Sequence, residues 1–366
     1  MSFDIIDKDF LKNYDGPAIR VMEVCGTHTS AIFKSGIRSF LSPKIRLVSG
    51  PGCPVCVTVP DYIDRCVEIS MTPGCELVCF GDLLKIPGAR GTLSDAKGAG
   101  ARVRMAWSPF DAVALAQNDP GSTYIVAAIG FETTAPAFGL LLEEAEARGV
   151  RNLRLMTSLK SALAAIDWIC AAGEDVDAFL CPGHVSVVTG ADVYIPLAEK
   201  YKKPFVVAGF GGGHLLAAVR AAAEDAAEGR SVTRNLYPEA VTAQGNRKAR
   251  AAIERYFETG DAVWRGLGPV PGSGYFLREE YSSYDAGQDE AGPAAGDSAN
   301  IMNDRERAMA YGDNADGCRC GDVILGRIDP DACPLFGTSC TPARAAGPCM
   351  VSSEGACGIW YRGRPM

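Results

Sequence analysis

Tyr124-Ile125-Val126-Ala127-Ala128-Ile129, then Gly130-Phe131-Glu132-Thr133-Thr134, then a helical pattern from Pro136 to Arg148, then Leu153-Arg154-Leu155-Met156: this order of segments decides the fold class. The first and last runs are short and continuously apolar, which fits strands buried on both faces of a parallel sheet. Strand, polar loop, helix and strand make one βαβ unit. The alternation extends outward. Further strands are expected at Ile45–Val48, Glu76–Phe80, Ala178–Cys181 and Phe205–Ala208, and helices at Tyr62–Met71, Leu159–Ala171 and Leu215–Glu228. The expected class is α/β, with parallel-sheet lobes whose chemistry sits in the Gly- and Pro-marked loops that end each strand.

A chain of 366 residues exceeds what one hydrophobic core usually serves. The alternation pauses between Trp107 and Gly121. This sets an expected division into a first α/β lobe over 16–115, a second over 116–240 and a Cys-rich unit over 241–366. Within the third unit a helix is expected from Asn246 to Thr259. The Gly-, Ala-, Asp- and Asn-rich stretch from Asp285 to Asp316 reads as a loop or partly disordered insertion.

Bulk composition narrows the function. Hydrophobic residues make up 47% and charged residues 22%, a soluble globular balance. The formal charge of −8 and the lack of a basic stripe argue against a nucleic-acid binder. No apolar run reaches membrane-spanning length, and the Ala-rich run from Leu215 to Ala227 is broken by Arg220, Glu224 and Asp225. The acidic N-terminal stretch is not a secretory signal, so a cytoplasmic protein is expected. In that reducing setting, 14 Cys beside only 3 His point to thiolate metal binding or redox chemistry.

Six of these cysteines, Cys318, Cys320, Cys333, Cys340, Cys349 and Cys357, fall in the last 49 residues. That segment has too few large apolar residues for a core of its own, and a metal centre would supply the cross-links. Zinc accepts four thiolates too, but structural zinc sites favour C-x-x-C knuckles, absent here, so an iron–sulfur cluster fits the spread spacing better. Spacing leaves the choice of four ligands open.

Cys53-Pro54-Val55-Cys56 follows a strand and precedes a helix, the context of a dithiol redox pair; the plainer alternative is a tight turn with two buried thiols. Cys25-Gly26-Thr27-His28 follows the apolar run Ile19–Val24. Backbone N–H groups at a helix start would favour a Cys25 thiolate there, and His28 could hydrogen-bond a bound species; a capped turn with an inert thiol is the alternative. Glu132 and Thr133 in the Gly130 loop, and Cys181 and His184 in Cys181-Pro182-Gly183-His184, put polar groups where sheet ends open on a crevice. A helix-capping Thr and a core His are their plain readings. Cys66, Cys75, Cys79 and Cys170 lie in apolar patterns and read as buried thiols. Gly209-Phe210-Gly211-Gly212-Gly213-His214 could cradle an anion but lacks the dinucleotide fingerprint.

Taken together, these loops resemble the HypD family of hydrogenase maturation proteins. The matching segments run from Cys25–His28, Gly50–Cys56, Gly130–Thr134, Cys181–Val185 and Glu239–Asn246 to Cys318–Gly326, Cys333–Pro342 and Gly347–Cys357. The resemblance implies two Rossmann-like lobes and a small C-terminal [4Fe–4S] domain similar to ferredoxin–thioredoxin reductase. It implies a cytoplasmic, redox-active assembly scaffold, monomeric alone, that works with a HypC-like small chaperone. On that complex an iron acquires two cyanides and one carbon monoxide, the cyanide delivered by a HypE-like donor as a thiocyanate. The family spacing places the cluster on Cys318, Cys333, Cys340 and Cys357 and leaves Cys320 and Cys349 as a second thiol pair. Iron carrying cyanide and carbon monoxide suits a soft donor such as a Cys25 thiolate. A different class shares the cluster and dithiol: a thioredoxin-reductase-like electron-transfer enzyme with no scaffold role. Two departures stand out. The Gly209 loop reads Gly-Phe-Gly-Gly-Gly-His where the family usually has acidic residues, and the insertion around Asp289–Arg307 is longer than usual.

Overall fold

The computed structural model describes residues 3–288 and 317–363. Its strands are β1 Ile19–Glu23, β2 Ile45–Ser49, β3 Cys75–Cys79, β4 Val103–Met105, β5 Thr123–Gly130, β6 Leu153–Lys160, β7 Ala178–Pro182, β8 Phe205–Ala208, β9 Thr233–Asn235, β10 Phe257–Trp264, β11 Gly268–Leu277 and β12 Asp285–Gln288. They form two sheets. The first has the order β2-β1-β7-β8-β9 and is parallel throughout. The second has the order β10-β11-β6-β5-β3-β4, with β12 pairing β6. Its β4, β3, β5 and β6 are parallel, and the β10–β11 hairpin adds antiparallel to β6. The expected α/β class with parallel-sheet lobes is the observed one.

The lobes do not follow each other along the chain. The first sheet takes β1 and β2, then β7 to β9; the second takes β3 to β6, then β10 to β12. The strand pairing therefore crosses the division expected at residue 115, since β3 and β4 lie in one sheet with β5 and β6. An apolar run says that a strand is buried, not which strand lies beside it; long-range register decides that. In place of the expected seam, Asp111–Asn118 is a helix that buries Ala112, Val113 and Ala116.

Element boundaries moved for local reasons. β6 runs on to Lys160, and the helix expected from Leu159 starts at Ala162, where the Ser161 side chain accepts from the Ala164 N–H. The helix expected to Thr259 covers Arg247–Tyr256, capped by Asn246, and the chain then turns into β10. The loop expected from Asp285 begins with β12; its remainder, 289–316, lies outside the described residues.

Each sheet reverses its winding between its first and third strands: between β1 and β7 in one, between β3 and β5 in the other. Crevices open at the carboxyl ends of strands at such points. The Cys25 and Cys181 loops leave from β1 and β7, and the Glu132 loop from β5.

The C-terminal segment contributes short helices, Cys320–Ile324, Pro348–Val351 and Ala356–Arg362. Its Val323, Ile324, Leu325, Cys349 and Met350 share one core with Met22, Val48, Phe131 and Trp264. Fixing the segment there are Arg46 to Asp329 at 2.9 Å, Arg327 to Glu174 at 2.6 Å, and an edge-on contact of Phe33 with Trp360 at 5.1 Å. Trp264 ties in the β10–β11 hairpin: its Nε1–H donates to Ser273 Oγ at 2.7 Å and its ring stacks on Phe131 at 5.8 Å. Fully burying one such ring contributes about 2–3 kcal/mol. Among the described residues no helix is long and apolar enough to cross a membrane.

Candidate functional site

Three loops converge where two glycines let them touch. Cys25 stands before the helix Gly26–Lys34 with extended backbone, and the Gly26 N–H donates to the Gly52 carbonyl at 3.3 Å. A Cβ on Gly52 would lie 2.5 Å from the Cys25 main chain, and one on Gly26 would lie 2.2 Å from the Glu354 carbonyl oxygen. Any side chain at either position would push the loops apart. The cavity between them is walled by Gly26, Cys53, Cys56, Ile324, Cys349 and Glu354, among others.

Cys25 is 7% exposed. Burial pushes its thiol up to about 11, while hydrogen bonds from the His28 and Thr27 backbone oppose the shift. The expected N–H groups are present, but burial outweighs them, so the free thiol is protonated at neutral pH. Two residues earlier, buried Glu23 accepts from Thr29 Oγ at 2.7 and 2.6 Å and from Ser49 Oγ at 2.8 Å. This fixes the strand end that carries Cys25.

Cys53 and Cys56 are joined as a disulfide with Cα atoms 5.3 Å apart. The Cys56 N–H points at Cys53 Sγ at 3.2 Å, and Ser352 Oγ lies 3.2 Å from the same sulfur. Across the cavity, the C-terminal thiols gather. Cys349 Sγ accepts from the Cys357 N–H at 3.3 Å and exchanges side-chain hydrogen bonds with Cys320 and Cys357. The hydrogen bond from Cys349 draws the Cys357 thiol down, but burial and neighbouring Cys320, Cys318 and Cys340 leave it raised overall. Cys340 Sγ accepts from the Ala346 N–H at 3.3 Å, and the turn from Cys333 to Cys340 is closed by the Cys340 N–H on the Leu335 carbonyl at 2.8 Å. This donor set is all sulfur and lies within an apolar core, which is compatible with an iron–sulfur cluster. Among the described residues no three Cys, His, Asp or Glu side chains converge on one ion position. The thiolates of a four-iron cluster each take a different iron and so stand further apart than ligands of a single ion.

The other expected site residues lie outside this cavity wall, near the carboxyl ends of β1, β5 and β7. Glu132 is buried and anchors local structure: it accepts from Ser161 Oγ at 2.7 Å, from the Ala162 N–H at 3.1 Å and from Tyr275 OH at 3.4 Å. Burial pushes its carboxyl up despite those donors. Thr133 is exposed, and neither it nor Thr134 caps the following helix through its side chain. Cys181 is fully buried, its thiol held well above the ordinary range by burial. His184 is exposed and stacks on Phe210 at 4.0 Å, so the core-histidine reading does not hold for it. That reading fits His28 better. His28 is fully buried, and its Nε2 lies 3.1 Å from the Ala208 carbonyl. Burial lowers it to about 4, so the ring is neutral. Donating through Nε2 leaves Nδ1, which has no partner, as an acceptor. In this arrangement His28 can receive a hydrogen bond at Nδ1 but cannot give one there.

The chain matches the family model described as HypD, Hydrogenase formation hypA family, over residues 6–364. It is 41% identical over 354 residues to a hydrogenase maturation factor HypD of Escherichia coli strain K12, covering 94% of this chain and 89% of the relative. It is 39% identical to a hydrogenase maturation factor HypD of Azotobacter vinelandii, covering 93% and 88%. A putative hydrogenase expression/formation protein of Methanocaldococcus jannaschii is 36% identical, covering 94% and 92%. The chain belongs to the HypD family.

For a HypD family member, the geometry adds residues that sequence reading did not single out. Glu354 stands in the cavity wall, its Oε1 3.4 Å from Thr27 Oγ. Ser352 touches the disulfide. Tyr194, buried, has its hydroxyl 3.2 Å from Ser186 Oγ; burial raises its phenol, with Cys181, Glu132 and Cys25 all close enough to add to the shift. Ser, Glu and Tyr recur throughout the sequence, and only their place in the fold marks these three.

Proposed function

We propose that this chain is a cytoplasmic maturation scaffold with redox activity, on which an iron ion gains cyanide and carbon monoxide before transfer to a hydrogenase. Its partners are a HypC-like chaperone, which shares the iron, and a HypE-like donor that carries cyanide as a thiocyanate. Cys25 is the chain's own ligand to that iron. The observation that carries the reading is one cavity walled by the Cys53–Cys56 disulfide, by Cys349 of the thiol-rich segment and by Gly26 of the Cys25 loop.

The chemistry balances. Opened to a dithiol, Cys53 and Cys56 give two electrons and two protons to the donor's S–C≡N group. The sulfur leaves as a thiol, hydrogen cyanide is released toward the iron, and the disulfide closes again. Cys318, Cys333, Cys340 and Cys357 would hold a [4Fe–4S] cluster, which supplies single electrons when bound. Cys320 and Cys349 form the thiol pair between that group and the cavity. Their mutual hydrogen bond and the Cys349 position in the cavity wall support this placement.

Anaerobic purification with iron and sulfide analysis tests the reading. Brown protein with about four irons per chain that captures HypC-like and HypE-like proteins is expected. Colourless, zinc-loaded protein contradicts it. Brown protein that captures neither partner points instead to an electron-transfer enzyme without a scaffold role.

A further inference from the structure

The two sulfurs of the disulfide are not in equivalent surroundings. Cys53 Sγ receives the Cys56 backbone N–H at 3.2 Å and faces Ser352 Oγ at 3.2 Å. No such donor is directed at Cys56 Sγ among the described residues. A disulfide sulfur carries no proton, so at the Ser352–Cys53 contact the hydroxyl must donate. The rest of the Ser352 environment makes that direction fixed. The Glu354 N–H donates to Ser352 Oγ at 3.2 Å, occupying an acceptor position and turning the hydroxyl hydrogen toward the sulfur. The residue is 3% exposed, which keeps water from competing. Its backbone is tied at both ends, the N–H to the Pro348 carbonyl at 3.0 Å and the carbonyl to the Gly355 N–H at 3.2 Å. Gly355 is needed there, because a Cβ would lie 2.1 Å from the Cys349 carbonyl oxygen.

When the disulfide opens, two hydrogen-bond donors already aim at one sulfur. A thiolate takes such donors more strongly than a thiol does, so they favour ionisation at Cys53. We infer that Cys53 is the nucleophilic thiolate of the reduced pair and that Ser352, reaching in from the C-terminal segment, is the positioning residue that selects it over Cys56. The inference deepens the redox reading of this pair and rests on it. It also ties the reactivity of a loop in one lobe to correct seating of the thiol-rich segment, since the selecting hydroxyl sits between Cys349 and Cys357 in the chain.

The test uses full-length, anaerobically reduced protein and limiting iodoacetamide, with mass spectrometry reporting which of the two cysteines is labelled first across a pH series. Cys53 should be labelled ahead of Cys56, with the lower apparent pKa. In Ser352→Ala, labelling of Cys53 at neutral pH should slow about tenfold, as loss of one charge-assisted hydrogen bond implies. Ser352→Thr and Ser352→Val form a matched pair of nearly equal volume that differs in the hydroxyl. Thr should keep the Cys53 preference and Val should lose it, which a purely structural role for residue 352 would not produce. Preferential labelling of Cys56, or identical profiles for Thr and Val, overturns the assignment of Ser352. The underlying reading fails separately: if the wild-type pair does not re-form its disulfide under mild oxidant, the redox role is lost whichever sulfur is labelled first.

Discussion

Ser161 Oγ donates to Glu132 Oε1 at 2.7 Å, and the same carboxylate accepts from the Ala162 N–H at 3.1 Å. Glu132 thus ties the loop after β5 to the start of the helix Ala162–Ala171. Replacing it by Ala strands the buried Ser161 hydroxyl and Ala162 N–H, and should cost about 2–4 kcal/mol in denaturant unfolding. Glu132→Gln keeps an acceptor oxygen and should recover more than half of that loss. Equal losses in both variants would show that the charge, not the hydrogen bonds, is what the site needs.

Asp225 is fully buried under Arg230 and Arg234, with Arg234 Nη2 2.7 Å from its Oδ1. Burial alone would raise its carboxyl, but the hydrogen bonds from Arg234 and Arg230 outweigh it and hold the carboxyl below the ordinary range. A depressed folded pKa gives stability that is present above the unfolded value, about 4, and lost as pH falls through the folded one. Asp225→Asn should therefore be less stable at pH 7 by about 2–3 kcal/mol, and should lose less stability than the wild type as pH drops below about 4. Urea unfolding at a series of pH values reads both; parallel pH curves for the two proteins would contradict the argument.

Gly52→Ala tests the meeting of the Cys25 and Cys53 loops. The added methyl would sit 2.5 Å from the Cys25 backbone, so one loop must move. The variant should fold with a loss of about 1–3 kcal/mol and keep the absorption of any C-terminal cluster, but fail to support hydrogenase maturation. Full maturation activity would mean that the close approach is incidental.

Much of this site was legible in the sequence because strand ends carry it. Tyr124–Ile129 and Ala178–Cys181 are apolar runs that end in polar loops, so Glu132 and His184 could be placed at strand ends before any coordinates, although neither lines the cavity between the Cys25 and Cys53 loops. The interleaving of the two sheets was not legible, because nothing in Leu77 says that Val103 and Ile125, rather than Leu47, lie beside it. The β10–β11 hairpin hid behind Gly268, Pro269, Pro271, Gly272 and Gly274, residues that ordinarily mark loops; its strength comes from Trp264 and Phe131 packing, a contact between distant segments. Ser352 and Glu354 carried no chemical signature of their own. They matter because the turn that holds them folds over Cys25 and Cys53.

Substitution of the C-terminal thiols separates their roles. Ser in place of Cys318, Cys333, Cys340 or Cys357 should abolish the brown absorption and lower iron to well under about four per chain, while Cys320→Ser and Cys349→Ser should retain both. Cluster loss in Cys349→Ser with retention in Cys357→Ser would reverse the assignment of these two residues, which the Cys357 N–H joins by its 3.3 Å contact with Cys349 Sγ.

Infrared spectroscopy of the anaerobically purified complex with the proposed small chaperone tests whether Cys25 holds the iron that receives cyanide. Iron-bound cyanide and carbon monoxide stretch in a window clear of protein bands. The wild-type complex should show those bands, and Cys25→Ala should lose them together with hydrogenase maturation while its cluster absorption stays intact. A Cys25→Ala complex that still carries the full set of cyanide and carbon monoxide bands would rule out Cys25 as an essential ligand and move the iron to Cys53 or Cys56.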